Sequence, residues 1–182
     1  MAPIIGKGRI EAFSDGVIAI IITIMVLELK VPHGTGFADL LPVAPVLLSY
    51  VLSFAYVGIY WNNHHHLFQA ARGVTGPIMW ANLHLLFWMS LIPFVTAWAG
   101  EHPLAPLPVA LYGAVLLLCS IAFLILAAAL HPRGRDSWKD RKNLVSIGLY
   151  ASAAGLALWY APAASALHVV IAALWLRPRA MQ

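Results

Sequence analysis

The chain reads as an all-α polytopic membrane protein with six transmembrane helices per subunit and both termini cytoplasmic. Three observations predict this. Of 182 residues, 62% are hydrophobic and only 10% charged, with a mean hydropathy of +0.82, outside the range of ordinary soluble chains. Apolar runs long enough to cross about 30 Å of hydrocarbon recur six times, each bounded by Pro, Gly or charge. Ten of the eleven Lys and Arg residues then fall on one side and only Lys30 on the other, and positive charge is retained on the cytoplasmic side.

The first span, near 10–30, is an Ile, Val, Leu and Met run that carries Ser14, Asp15, Thr23 and Glu28. No small-residue cleavage site follows a short apolar core, so it is expected to persist rather than leave as a signal peptide. The second span, near 42–67, ends in Trp61-Asn-Asn-His-His-His66, and the third, near 77–98, contains Asn82, His84, Trp88 and Ser90. The fourth, near 106–130, holds the lone Cys119, which excludes an intramolecular disulfide. The fifth and sixth, near 143–160 and 162–177, are short and separated only by Pro162, so a re-entrant hairpin rivals two crossings. Trp98, Trp138, Trp159 and Trp175 sit near span ends, as interfacial anchors do. The basic stretch from Arg133 to Lys142 reads as a solvated cytoplasmic connector meeting anionic headgroups, not a nucleic-acid surface. Residues 1–182 are expected to form a single unit.

Ionisable groups at membrane depth mark functional sites by default, and here they share one layer. Arg9 and Asp15 open the first span, Asn62 to His66 close the second, and Asn82 and His84 open the third. A buried carboxylate costs several kcal/mol unless paired, so Asp15 and Ser14 are expected to hold a His or Asn of neighbouring helices. At about 100° per residue, Ile20, Ile24 and Leu27 share a line with Thr23 beside it, and Asp15 points roughly 140° away from Ile20. From the wheel alone, that apolar line serves lipid contact or packing. Three consecutive histidines diverge by about 100° each and make a poor metal site. No nucleophile elbow, zincin motif or phosphate loop is present, which argues against an enzyme.

Arg9, Phe13, Ser14 and Asp15, in RIEAFSD followed by GVIAIIITIMVLEL, resemble the RxxxFSD signature of the prokaryotic relatives of transmembrane protein 175, the lysosomal potassium channel. YWNNHHHLF and NLHLLFWMSLIPF are similar to that family's second and third spans. The resemblance covers the chain to about residue 98 by motif, and beyond it by span count and length only. It implies a homotetramer of six-span subunits in the bacterial inner or plasma membrane, with a potassium-permeable pore lined by the first span. No TVGYG-type filter and no cofactor are implied, and potassium is the permeant ion.

Carried over by position, the resemblance makes Ile20 the principal hydrophobic constriction and Thr23 a selectivity position, with Ile24 and Leu27 continuing the line. Arg9, Phe13, Ser14 and Asp15 become a structural motif, and His65, His66, Asn82 and His84 its network partners, with His64 a further candidate among the three histidines. The partners expected are further copies of the chain, the lipid bilayer and potassium ions, with no nucleic acid. The alternative is a proton-permeable or proton-coupled transporter using Asp15 and the histidine cluster as a relay.

Overall fold

The computed structural model describes residues 6–71, 73–130 and 141–176, with the backbone alone at 141–143. Seven α-helices occupy these residues: α1 (Lys7–Leu27), α2 (Ala44–Gln69), α3 (Gly76–Ser90), α4 (Ile92–Glu101), α5 (Pro106–Leu130), α6 (Arg141–Ala157) and α7 (Ala161–Leu176). A 3-10 turn, Phe37–Val43, leads into α2.

Local chemistry sets these boundaries. Asp39 Oδ2 accepts the N–H of Gly36 at 2.9 Å and caps the 3-10 turn, and proline in the first turn starts α2, α3 and α4, where its missing N–H costs nothing. The third apolar run, expected as one helix, is broken at Leu91. Pro93 has no N–H for the Met89 carbonyl and its ring crowds that carbonyl. Ser90 Oγ donates to the Phe87 carbonyl at 2.7 Å beside the break. The last two runs also shift: α6 stops at Ala157 and α7 starts at Ala161, one residue before Pro162.

Among the described residues, four segments are long and apolar enough to cross a membrane: α1, the 3-10 turn with α2, α3 with α4, and α5. The 17 described residues of α6 and 16 of α7 give about 25 Å each, already near the lower limit of a span. Their connecting turn packs Ala157, Ala161 and Ala164 on Val109, close to the Pro106 end of α5. The hairpin therefore reaches that end, which favours two crossings over a re-entrant loop, and Trp159 stands exposed in its turn.

α5 forms the centre. α3 and α4 cover one side of it, and α6 and α7 the other, while α2 bridges to α4 and α7. α1 packs on α2, α3 and α4, on the flank away from the α6–α7 hairpin. Two glycines permit the closest approaches. A Cβ on Gly100 would stand 2.9 Å from the Val46 Cα, and one on Gly113 2.9 Å from His168 Nε2 and 3.3 Å from the Ala154 Cα. The orientation count rests largely on positions 72, 133, 135, 139, 177 and 179, which lie outside the described residues, as do the rest of the 131–140 connector and Trp138; at 141 and 142 only the backbone is described.

Candidate pore helix and its clasp

α1 is almost unbroken branched aliphatic sequence, yet it buries only one seam: Ile10, Ser14, Ile18, Ile21 and Met25. These recur at three- and four-residue spacing, the stripe a helix presents to a single neighbouring surface. The rest of the helix is left open, including the line identified from the sequence. Ile20 is 57% exposed, Ile24 41% and Leu27 80%, and Thr23 and Phe13 lie on the same open side.

Thr23 Oγ1 donates to the Ile20 carbonyl at 2.9 Å. With its proton spent on its own helix, the hydroxyl offers only lone pairs outward. Such an oxygen attracts cations rather than anions. Glu28 caps the end of α1, and Lys30 just beyond bonds Glu101 at 2.5 Å. That bond, and the carboxylate charge behind it, raises the Lys30 pKa above its ordinary 10.5.

A buried hydrogen-bonded chain sets the rotation of α1 at its other end. Asn82 Nδ2 of α3 donates to Ser14 Oγ at 2.9 Å, so Asn82 presents Oδ1 to His64 of α2 at 2.8 Å. A carboxamide oxygen only accepts, so His64 carries its proton on Nε2. All three residues are buried, and the His64 ring stacks on Phe68 with centroids 4.5 Å apart. Asp15, about 100° around the helix from Ser14, lies outside this chain. It is exposed at the α1–α2 groove and accepts from Trp61 Nε1 at 3.0 Å. Lys7 Nζ completes the attachment by donating to the Gln69 carbonyl at the end of α2, 3.2 Å away, where a cation satisfies an orphan carbonyl.

The other expected partners lie elsewhere. His65 is bonded to Gln69 at 2.8 Å and stacked against Trp61, and His66 lies exposed beside it. His84 accepts from Trp88 Nε1 on its own helix at 2.8 Å. Arg9 is exposed, and its guanidinium has no partner among the described residues. The chain thus runs Ser14–Asn82–His64 and includes none of His65, His66 or His84. Consecutive helical residues face different neighbours, and only the middle of the α1–α2–α3 contact accepts a ring. Among the described residues no group of three or more His, Cys, Asp or Glu is arranged to hold a metal ion.

Sequence reasoning missed a second buried chain. Thr96 Oγ1 of α4 donates to Ser53 Oγ of α2 at 2.7 Å, and Ser53 Oγ lies 3.0 Å from the Tyr112 hydroxyl of α5. Nearby, the Tyr56 hydroxyl donates to the His168 carbonyl at 2.5 Å, and the Tyr112 ring meets the His168 ring edge-on. Hydroxyls in apolar helices can satisfy themselves on their own backbone, so their sequence signal is weak.

Comparison with known proteins follows the same outline. The family model of the endosomal/lysosomal potassium channel TMEM175 matches residues 9–93, which hold α1, the histidine run and Asn82. A potassium channel of Chryseobacterium sp. (strain P1-3) is 49% identical over 179 residues, covering 94% of this chain and 93% of that protein. A potassium channel of Streptomyces collinus is 33% identical over 184 residues, covering 91% of this chain and 89% of its own. Among solved structures, a lysosomal potassium-selective channel TMEM175 homolog from Chamaesiphon minutus superposes with a TM-score of 0.84 at 31% identity, across 93% of this chain and 95% of that one.

Proposed function

Because the chain belongs to the TMEM175 family, a family of channels and not of enzymes, we propose that it forms a cation channel favouring potassium modestly over sodium. In this reading residues 1–182 form one channel subunit, and four copies surround an axis lined by α1. The subunits sit in the bacterial inner membrane with both termini cytoplasmic. The single observation that supports it best is the open face of α1, where Ile20, Thr23, Ile24 and Leu27 are exposed while a buried hydrogen-bonded chain fixes the opposite side.

Around a four-fold axis, Ile20, Ile24 and Leu27 become stacked rings of branched carbon. Such rings close by losing water and open by a small widening. Thr23, its proton held by the Ile20 carbonyl, supplies a ring of acceptor oxygens that replaces part of a lost hydration shell. With few oxygen ligands, the constriction penalises the more tightly hydrated sodium more than potassium. The relay alternative has less support, because Asp15 is bonded to Trp61 and His64 to Asn82, so these two share no hydrogen bond.

Reconstitution into liposomes tests the proposal. Purified protein is expected to pass potassium faster than sodium, and Ile20→Asn, which hydrates the ring, is expected to raise the flux severalfold. A well-folded tetramer without potassium flux, or one whose flux ignores Ile20→Asn, overturns it.

A further inference from the structure

α1 is one uninterrupted helix from Lys7 to Leu27, so its residues keep a fixed angular relation from end to end. At about 100° per residue, the eleven positions from Arg9 to Ile20 complete three turns to within about 20°. Arg9 therefore projects on the line of Ile20, Ile24 and Leu27, about 16 Å nearer the start of the helix, and its side chain leans back toward that start. It is exposed there, and its guanidinium has no partner among the described residues. The buried seam of Ser14, Ile18 and Met25 lies on the opposite side of the helix.

The neighbouring charges of α1 point elsewhere. Lys7 donates to the Gln69 carbonyl of α2, Asp15 is held by Trp61, and Glu11 lies about 180° around the helix from Ile20. Glu28, at the far end, stands about 80° off the line. Arg9 is thus the one charged residue of α1 on that line, and no acid on the same face neutralises it. A guanidinium keeps its proton in proteins, so the charge is permanent. On a line that faced lipid, an arginine at headgroup level would be ordinary. On a line that faces the pore axis, four guanidiniums stand in the path of the permeant cation.

We propose that Arg9 throttles cation entry at the mouth formed by the start of α1, where four copies make a ring of permanent positive charge that depletes potassium and makes the current rectify. This rests on the reading of α1 as the pore helix. Rings of charged side chains at a pore select by sign, and a positive ring opposes the ion proposed to pass here. Its field falls off over about 10 Å in 0.1 M salt and about 3 Å in 1 M, so the throttle weakens as salt rises.

Planar-bilayer recording of the full-length protein tests this, because each mouth is bathed separately. In about 0.03 M KCl, Arg9→Gln is expected to raise the potassium current entering at that mouth about threefold or more, and in 1 M KCl to leave little gain. Arg9→Cys supplies a second measure, since the lone native cysteine, Cys119, is buried and a charged methanethiosulfonate reaches position 9 alone. The ethyltrimethylammonium reagent should restore the rectification, and the ethylsulfonate reagent should raise the current further. Lys7→Gln removes an equal charge near the same depth but off the line, and is expected to give less than half the gain. A gain independent of salt, a Lys7→Gln gain as large as that of Arg9→Gln, or a folded Cys variant indifferent to both reagents overturns the proposal. With Ile20→Asn still raising the flux, only the throttle is lost; with Ile20→Asn without effect, the pore reading goes with it.

Discussion

Two buried hydrogen-bonded chains tie the helices together, and they differ in what they hold. The Ser14–Asn82–His64 chain joins the pore-candidate helix α1 to α2 and α3; the Thr96–Ser53–Tyr112 chain joins α4, α2 and α5 within the scaffold. The first sets a carboxamide and an imidazole, each with more donor and acceptor atoms to satisfy than a hydroxyl, against the Ser14 hydroxyl. The second is built from hydroxyls, two of which, Ser53 and Thr96, can turn back to a backbone carbonyl when a partner is lost. The same number of hydrogen bonds therefore carries different weight: the first chain specifies the rotation of α1, whereas the second adds cohesion to helices already packed by apolar contact.

Breaking each chain sharpens the contrast. Asn82→Ala removes two bonds and leaves His64 and Ser14 buried without each other's link. The expected loss is about 2–4 kcal/mol, read as a large drop in thermal stability in detergent and loss of the native oligomer. Equal stability to the wild type would show that α1 is held by packing alone. Gly113→Ala drives a methyl against His168 Nε2 and Ala154, with an expected cost of about 1–3 kcal/mol. Ser53→Ala should cost less than Asn82→Ala, about 1–2 kcal/mol, because Thr96 recovers a backbone partner; a larger loss than Asn82→Ala would reverse the ranking of the two chains.

Trp61→Phe deletes only the exposed bond to Asp15 and is expected to cost about 0.5 kcal/mol or less. Smallest of all, Lys30→Gln removes a solvent-exposed pair and should leave the melting temperature unchanged. A raised lysine pKa means that this pair's contribution is fully present below the ordinary value of 10.5 and is lost only as pH rises beyond it, so any offset between the melting temperatures of wild type and Lys30→Gln should stay constant from pH 6 to 9.

The same contrast explains what the sequence made legible. Asn82 and Ser14 stood out because strongly polar groups are rare in apolar runs and need partners. Which histidine completes the chain did not stand out, since His64, His65 and His66 together sweep about 200° of the helix surface and only three-dimensional packing selects one. Asp15 was expected in a buried network for the same energetic reason, yet it lies one residue from Ser14 and so faces the open groove and the Trp61 indole. The hydroxyl chain of Ser53, Thr96 and Tyr112 gave no comparable signal. The break in the third span did have one, Pro93, which an apolar count overlooks because proline does not interrupt hydropathy. Six apolar runs were legible from length and composition; where helices start and stop, as at the Leu91 break, is what hydropathy locates least well.

The break at Leu91 has a mechanical consequence. α3, on one side of it, grips α1 through Asn82 and Ser14, while α4, on the other, meets the far end of α1 through Glu101 and Lys30. The pore-candidate helix is thus strung between the two segments of one proline-interrupted helical run. Any change in the angle between those segments alters the distance between its attachment points, and a helix of fixed length can answer only by tilting, sliding or releasing its weaker, solvent-exposed tether.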